Sequence, residues 1–281
     1  MGTSHLVRVD DADVHYRRFD SNPDHVPGLL FIHGMWAHSH WWDHIVPSFT
    51  RHFRVVAMDL GGMGESGWRS GYSVSNFGQQ ILAVLEDSGI APATIVAHSF
   101  SGTPTVFACH HQPAAIYRAV IIDSRLYLPT APPISAFQLE QSKVVRRLYK
   151  NPADAISRYR LIPSGPPVDP AIIQNVATNG LIQETDGWAW KFDPAIDPQM
   201  GNDDKRFAPP NIGTPIDYIY GEHSDVINAD FAEKVRNYFP NCGEPVAIPG
   251  ANHHILLETP DVLIGTLRAL FARPVQAIAL P

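Results

Sequence analysis

The sequence predicts an α/β fold built on a mostly parallel sheet. Short apolar runs alternate with segments whose apolar residues recur at helical spacing, as at Phe77, Ile81 and Leu85. The strand runs are apolar throughout, which is typical of a parallel sheet covered by helices on both faces. With 281 residues, 44% of them hydrophobic, the chain is long enough to bury a large core.

The elements follow one another in a regular order along the chain. His5 to Phe19 predicts two strands around a turn at Asp10-Asp11. Apolar runs predict further strands at 28–32, 53–58, 94–97, 119–122, 216–220 and 245–248. Helical spacing predicts helices at 41–52, 74–87, from 99 to about 111, 136–149, 229–238 and 261–272.

The alternation is interrupted after Asp123. Residues 126–208 contain no clear apolar strand and carry proline pairs at Pro132-Pro133 and Pro166-Pro167. We therefore expect a catalytic core formed by residues 1–125 and 209–281, with a helical cap of roughly eighty residues inserted at 126–208.

Composition excludes several classes of protein. The net charge of −7 argues against a nucleic-acid partner, and two cysteines, Cys109 and Cys242, exclude a disulfide scaffold. No apolar stretch approaches the roughly 20 residues of a membrane span, and the first ten residues lack the pattern of a signal peptide. We expect a cytoplasmic protein without a membrane partner.

The segment Ala97-His98-Ser99-Phe100-Ser101-Gly102 has the most distinctive pattern in the chain. It lies where a predicted strand turns directly into a helix, so Ser99 is expected on a tight turn with its hydroxyl exposed. Small residues are needed two positions before and after such a serine, because strand and helix pass close together. Ala97 and Ser101 are small enough, although glycine is the usual residue at both positions.

Together with four other motifs, this segment resembles the α/β-hydrolase family, and the resemblance spans nearly the whole chain. The other motifs, in order, are His33-Gly34-Met35-Trp36, Asp59-Leu60-Gly61-Gly62-Met63-Gly64-Glu65-Ser66, Gly221-Glu222-His223-Ser224-Asp225, and Gly250-Ala251-Asn252-His253 followed by Glu258-Thr259-Pro260. The order serine, acid, histidine is the one this fold uses. The resemblance implies an eight-stranded sheet.

The resemblance also implies a catalytic role for each of these residues. Ser99 would be the nucleophile, His253 the general base and Asp225 the acid that orients the imidazole. The backbone N–H groups of Met35 and Phe100 would form the oxyanion hole. No cofactor and no metal are required by this chemistry.

The acid and the base each have rival candidates. Asp123 also ends a predicted strand, and some members of the family carry the acid there. Asp59 fits a structural turn, while Glu222 and Asp217 are weaker candidates. His254 neighbours His253, but only His253 has the family's five-residue spacing to Glu258.

The substrate pocket is predicted from residues near these motifs. Trp36, His98, His254 and Trp188 are the candidates, and their aromatic character suggests a bulky apolar or aromatic substrate group. Trp41 and Trp42 are expected to anchor a helix. The pairs His38/His40 and His110/His111 lack the spacing of a zinc motif, so we expect no metal.

Four basic residues, Lys143, Arg146, Arg147 and Lys150, fall at the spacing of one helical face in the predicted cap. Such a face is most often simply solvated. The alternative is a basic rim that attracts acidic substrates, such as monoesters of dicarboxylic acids.

The sequence therefore predicts hydrolysis of a small or medium carboxylic ester through an acyl-serine intermediate. Serine at position 99 argues against dehalogenases and epoxide hydrolases, which use aspartate there. Hydrolysis of a carbon–carbon bond, lactone hydrolysis and perhydrolysis are alternatives on the same triad. A ligand-binding receptor on the same scaffold is the alternative outside enzymes.

Overall fold

The structure is a computed structural model that describes residues 2–19, 26–128, 146–196 and 211–274. Ten strands occur in these ranges: β1 Thr3–Val9, β2 Ala12–Arg18, β3 Gly28–Ile32, β4 Arg54–Met58, β5 Ala93–His98, β6 Ile116–Ile122, β7 Leu181–Glu184, β8 Gly187–Trp190, β9 Ile216–Gly221 and β10 Val246–Ile248. The α-helices are α1 Val74–Asp87, α2 Gly102–His111, α3 Pro152–Ser157, α4 Pro170–Asn179, α5 Ala229–Tyr238, α6 Ile255–Glu258 and α7 Pro260–Phe271.

Eight of the strands form one sheet in the order β1-β2-β4-β3-β5-β6-β9-β10. β1 and β2 pair antiparallel, β2 also pairs antiparallel with β4, and every other pair is parallel. The prediction of a mostly parallel, eight-stranded sheet is therefore confirmed. β5 lies at the centre, with β6 beside it, so residues at the carboxyl ends of these two strands are close neighbours.

Both faces of the sheet are covered, as the apolar strand runs predict. In β3, Leu30 and Ile32 belong to one buried cluster, while Leu29 and Phe31 belong to a second cluster on the other face. Successive side chains of a strand point to opposite faces, so this division places hydrophobic core on each side.

Helix α1 illustrates why the predicted helices form. Ser73 precedes it with extended backbone and its hydroxyl accepts the Asn76 N–H at 3.0 Å, which caps the first turn. Its apolar residues Phe77 and Ile81 are fully buried against the sheet. α1 and α5 have the predicted bounds, and α2 and α7 differ from them by only a few residues.

The helix predicted over 41–52 is wrong. The chain there forms two short 3₁₀ turns, Ser39–Trp42 and Val46–Ser48. Pro47 lies in the middle of the predicted helix; it lacks a backbone N–H and its ring obstructs the preceding turn, so a continuous α-helix is not available. The apolar residues Trp42 and Ile45 are nevertheless fully buried.

Residues 123–215 connect β6 to β9 and contain the stretch 126–208 for which an inserted cap is predicted; of this inserted segment, 123–128, 146–196 and 211–215 are described. It contains α3, α4 and an antiparallel hairpin formed by β7 and β8. The sequence did not predict this hairpin. Asp186-Gly187 at its turn and the two tryptophans of β8 are signals that would have indicated it.

The helix predicted over 136–149 falls mostly on residues outside the described ranges, which end at 128 and resume at 146. The described part of the prediction is wrong, because residues 146–148 have no regular structure and Tyr149 pairs with Trp188 in an isolated antiparallel bridge.

Two other predictions concern membrane-spanning helices and disulfide bonds. Among the described residues, no helix combines the length and the apolar composition needed to cross a membrane. Cys109 and Cys242 are both free thiols, so neither takes part in a disulfide.

Candidate active site

Ser99 occupies a strained turn between β5 and the following helices. Its backbone has a φ of 54°, in the left-handed region that is costly for a residue with a side chain. A single 3₁₀ turn, Ser99–Ser101, leads directly into α2. The serine side chain is partly exposed there, although β5 itself is completely buried. The geometry presents the hydroxyl above the carboxyl edge of the sheet.

The residues around this turn are small because other groups lie close to the backbone. Ser101 is buried, and its hydroxyl donates to the carbonyl oxygen of His98 at 2.9 Å. A Cβ added at Gly102 would overlap the side chain of Ser124. A Cβ added at Gly34 would lie 3.0 Å from His98 Nδ1 and 3.2 Å from Ser99 Cβ, so the loop after β3 closely approaches the serine.

A continuous chain of hydrogen bonds connects Ser99, His253 and Asp123. The Ser99 hydroxyl lies 2.9 Å from His253 Nε2, and His253 Nδ1 lies 2.7 Å from Asp123 Oδ1. Asp123 is fully buried and His253 is 5% exposed. With Nδ1–H donating to the carboxylate, the lone pair of Nε2 is directed at the serine hydroxyl.

The structure does not bring Asp225 to His253 as predicted, because His253 pairs with Asp123 instead. Asp225 is exposed in the loop after β9. Asp123 follows β6, which is the strand directly beside β5, whereas β9 is one strand further away. The two weaker candidates for the acid have different partners. Asp217 lies 3.4 Å from Arg118, and Glu222 accepts the N–H of Gly250.

The loop after β9 holds the Asp123 carboxylate through two hydrogen bonds. Gly221 N–H donates to Asp123 Oδ2 at 2.8 Å, and the Ser224 hydroxyl donates to Asp123 Oδ1 at 2.7 Å. Asp123 itself has a φ of 45°, a conformation that aspartate tolerates better than most residues. These contacts fix the carboxylate toward His253 and compensate for its burial.

The loop that carries His253 is held by Glu258 and His98. The two carboxylate oxygens of Glu258 accept the backbone N–H groups of Asn252 at 2.6 Å and His254 at 3.2 Å. The family's spacing between histidine and glutamate is thus a structural contact. His98 Nε2 donates to the carbonyl oxygen of His253 at 2.9 Å, which ties the end of β5 to the same loop.

The two histidines that flank His253 stay neutral. Burial lowers the pKa of His254 to about 3, with the nearby His253 acting in the same direction. Burial also holds the pKa of His98 well below its usual range, again aided by its histidine neighbours. Neither side chain therefore adds positive charge beside the base at neutral pH.

The two predicted oxyanion donors are positioned by the loop after β3 and by the serine turn. Phe100 immediately follows Ser99 in the 3₁₀ turn, where the first N–H groups of a helix lack partners within it. Met35 follows Gly34, the residue in close approach to Ser99. The next residue, Trp36, has a φ of 54°, and its N–H donates to Met63 Sδ at 3.1 Å.

Asp59 is a structural residue of the turn after β4, as the motif predicts. Its carboxylate accepts the N–H groups of Ser39 at 2.5 Å and Glu65 at 3.0 Å, and lies 2.7 Å from His15 Nδ1. Burial by itself would raise the pKa of Asp59. The hydrogen bond from His15 and the charges of nearby histidines outweigh it and lower the pKa below the usual range.

Three histidines are the side chains here that have the chemistry to hold a metal. His98, His253 and His254 each place one ring nitrogen within 4.8 Å of the others. Both ring nitrogens of His253 are already engaged by Ser99 and Asp123. His98 is distant in sequence from His253 and His254, so local spacing did not indicate the group. The absence of a metal or cofactor requirement stays a prediction.

A cavity of about 390 Å³ lies between the core and the inserted segment. Its described lining residues are Met35, Trp36, His38, Trp41, Arg147, Tyr149, Arg158, Tyr159, Arg160, Leu161, Ile162, Gly180, Trp190, Lys191, Phe192 and His254. Trp36 and His254 line it as predicted. His98 and Trp188 are not among the described lining residues. His98 contacts the loop that carries His253, and Trp188 lies nearer the hairpin turn than Trp190, which lines the cavity in its place.

The described part of the predicted basic face does not form one side of a helix. Lys143 lies outside the described residues, and Arg146, Arg147 and Lys150 lie on non-helical chain. Arg146 forms an ion pair with Glu184 and lies 5.1 Å above the ring of Trp68. Arg147 lines the cavity.

Comparisons with known proteins agree with this architecture. Residues 29–266 match the model of the alpha/beta hydrolase family. The chain is 25% identical over 258 residues to 2-(acetamidomethylene)succinate hydrolase of Mesorhizobium japonicum, covering 87% of this chain and 86% of that protein. It is also 25% identical to a bifunctional esterase/perhydrolase of Acinetobacter calcoaceticus, covering 89% of this chain and 92% of that protein.

Among solved structures, that of E-2-(acetamidomethylene)succinate hydrolase superposes with a TM-score of 0.82 at 20% identity, covering 97% of this chain and all of the other. The likeness at this identity concerns the fold. The family match covers most of the chain, so the chain belongs to the alpha/beta hydrolase family.

Proposed function

We propose that the protein is a serine hydrolase that cleaves a carboxylic ester through an acyl-serine intermediate. The observation that carries the proposal is the hydrogen-bonded series Ser99, His253, Asp123 at the strained turn after β5. In this assignment Ser99 is the nucleophile, His253 the general base and acid, and Asp123 the residue that orients the imidazole.

Acylation begins when His253 Nε2 accepts the proton of the Ser99 hydroxyl, 2.9 Å away, as Oγ attacks the ester carbonyl carbon. The carbonyl oxygen becomes an oxyanion that accepts hydrogen bonds from the N–H groups of Met35 and Phe100. The intermediate then collapses, the bond to the leaving oxygen breaks, and His253 gives its proton to that oxygen. The alcohol leaves and the acyl group stays on Ser99.

Deacylation repeats these steps with water as the nucleophile. His253 takes one proton from the water, the resulting hydroxide attacks the acyl carbon, and the serine oxygen leaves with the proton from His253. Asp123 remains ionised throughout and stabilises the imidazolium that forms twice in each cycle. Every step uses only groups of the protein, the substrate and water.

The cavity supports a small or medium substrate. Its 390 Å³ lies within the usual range of small-molecule sites, and Trp36, Trp41, Trp190 and Phe192 give it aromatic walls. We propose that the inserted segment acts as a cap, because residues from it and from the core enclose this space together.

Perhydrolysis is a second candidate reaction, favoured by the similarity to the bifunctional esterase/perhydrolase. In that reaction hydrogen peroxide attacks the acyl-serine in place of water and releases a peracid. The test for it mixes the protein with acetate and hydrogen peroxide and detects the peracid by its oxidation of a halide. Simple ester hydrolysis forms no peracid.

The test is hydrolysis of 4-nitrophenyl esters, from acetate to long acyl chains and benzoate, by the wild-type protein and by Ser99→Ala. We expect turnover of the wild type and a loss of about 10³-fold or more in Ser99→Ala, because removal of the nucleophile leaves only binding and oxyanion stabilisation. Ser70→Ala, at an exposed position, is the matched control and should retain full activity.

Circular dichroism and thermal unfolding show whether each variant is folded. A folded wild type without turnover on any ester would refute ester hydrolysis. It would leave a carbon–carbon or lactone hydrolase, or a binding protein on this scaffold, as the remaining hypotheses.

A further inference from the structure

The cavity beneath the inserted segment carries a concentration of positive charge. Arg147, Arg158, Arg160 and Lys191 line it, and none of its described lining residues is an aspartate or glutamate. The whole chain has a net charge of −7, so this local excess runs against the overall charge of the protein. A cavity lined by one sign of charge attracts ligands of the opposite sign.

Some of these cations already have partners within the protein. Lys191 Nζ forms an ion pair with Glu65 and donates to the carbonyl oxygen of Asn179 at 3.0 Å. Arg160 Nη1 donates to the carbonyl oxygens of Ser157 at 3.0 Å and Tyr159 at 2.7 Å. These contacts give Lys191 and Arg160 a structural role.

Arg147 and Arg158 differ from them. Both side chains line the cavity, both residues are exposed, and neither guanidinium has a hydrogen bond or ion pair with another residue in the part of the chain that is described. The contrast with the adjacent Arg146 is clear, since both of its terminal nitrogens donate to Glu184. Two guanidinium groups are therefore available to a ligand.

Apolar side chains from the loop that approaches the serine also line the cavity. Met35 and Trp36 belong to the loop that approaches Ser99, and the Trp36 ring lies 6.1 Å from that of Phe192. Arg147 and Arg158 come from the inserted segment, as does Phe192. The cavity thus combines apolar side chains from the loop that approaches Ser99 with the two guanidinium groups available to a ligand.

From this arrangement we propose that the preferred substrates carry a carboxylate, which Arg147 and Arg158 bind while the ester group reacts at Ser99. A guanidinium offers paired N–H donors that match the two oxygens of a carboxylate. The inference rests on the proposed ester hydrolysis and specifies its substrate class as short esters with a free acid group, on either the acyl or the alcohol part.

The experiment compares esters with a free carboxylate against similar esters without one. Mono-(4-nitrophenyl) glutarate is measured against 4-nitrophenyl pentanoate for a carboxylate on the acyl part, and 4-acetoxybenzoate against phenyl acetate for one on the leaving group. We expect the wild type to show a higher kcat/KM for the charged member of one pair. The pair that shows the preference identifies which side carries the carboxylate.

The variants Arg147→Gln and Arg158→Gln remove one guanidinium each. We expect KM for the charged ester to rise about tenfold in each, a loss typical of one charge-assisted hydrogen bond, with a much smaller change for the neutral ester. Arg51→Gln is the matched control, because Arg51 is also exposed but lines a separate groove with Phe49 and Phe53. It should leave both KM values unchanged.

A binding measurement separates this inference from the proposed function. Isothermal titration of Ser99→Ala with monomethyl glutarate should detect binding that is weakened by Arg147→Gln or Arg158→Gln, whether or not the wild type turns over any ester. Equal kcat/KM for charged and neutral esters, or charged-ligand binding that is unaffected by both arginine variants, would overturn the inference.

Discussion

Replacing Asp123 by asparagine tests the hydrogen-bond series with little change in shape. Gly221 N–H is a fixed donor to Asp123 Oδ2, so the amide oxygen of the asparagine should stay there and its NH₂ should face His253. With a donor at this position, His253 Nδ1 must accept a hydrogen bond, so the imidazole proton moves to Nε2. Catalysis requires Nε2 without a proton, because it must accept the proton of Ser99. The variant therefore stabilises the wrong tautomer.

The expected loss in kcat follows from this change of tautomer. An asparagine at the acid position of such a triad lowers kcat by about 10⁴-fold, which corresponds to about 5 kcal/mol of transition-state stabilisation. Asp225 is exposed, and Asp225→Asn should change kcat by less than about twofold, as expected for a surface substitution. The two variants are thus matched in chemistry and opposite in expected outcome.

Steady-state hydrolysis of the best 4-nitrophenyl ester provides the assay, with urea unfolding as the control for stability. Asp123→Asn should unfold within about 2 kcal/mol of the wild type, because the Gly221 bond persists and both His253 Nδ1 and the Ser224 hydroxyl can accept a hydrogen from the new NH₂ group. A large loss of activity in Asp225→Asn together with an active Asp123→Asn would refute the reasoning and restore the acid predicted from the sequence.

Three further predictions concern stability and cofactors. Asp59→Asn should lower the free energy of unfolding by about 2–3 kcal/mol at pH 7, because it removes a buried charge that accepts hydrogen bonds. The folded-state pKa of Asp59 is depressed, so its contribution to the free energy of unfolding is present above about pH 4 and is lost as the pH falls further. Urea unfolding at pH 3 should therefore show a smaller difference in stability between wild type and Asp59→Asn than at pH 7. An equal difference at both pH values would contradict this. Gly102→Ala should destabilise the protein by about 1–3 kcal/mol in thermal unfolding, since the added methyl group overlaps Ser124; unchanged stability would mean that α2 can move away from β6. Dialysis against EDTA should leave ester hydrolysis unchanged, and inhibition that zinc reverses would show a metal requirement.

The sheet and its covering helices were predictable because local pattern and global fold agree there. The apolar run 28–32 and the helical spacing over 74–87 each form the element they predict. The tight turn at Ser99 was predictable for the same reason, since a strand that turns directly into a helix leaves little room for the residue between them. His253 was identified through its spacing to Glu258, which the structure explains by two hydrogen bonds to the histidine loop.

The predicted pairing of His253 with Asp225 differs from the structure because two strand ends compete for one position. Asp123 and Asp225 both follow a predicted strand, and the sequence does not specify which strand lies beside β5. The motif around Asp225 is nevertheless part of the site, because Ser224 and Gly221 hold the Asp123 carboxylate. Only the three-dimensional order of the strands distinguishes a residue that supplies the acid from one that positions it.

The inserted segment was the least predictable region. Its hairpin has only four residues in each strand, so periodicity is a weak signal, and Tyr149 takes part in a bridge that joins residues distant in sequence. The lining of the cavity depends on these contacts. Trp190 was therefore missed in favour of Trp188, and the availability of Arg147 beside the engaged Arg146 was not foreseeable.

The most direct test of the account is detection of an acyl group on Ser99. The wild-type protein is mixed with a 4-nitrophenyl ester that it hydrolyses, quenched in acid during turnover, and analysed by intact-mass and peptide mass spectrometry. The account predicts a mass increase of one acyl group on the peptide containing Ser99, and no such increase in Ser99→Ala. Two results would contradict the account. One is a burst of 4-nitrophenol release during rapid turnover without any adduct on the protein, and the other is an adduct on a different residue.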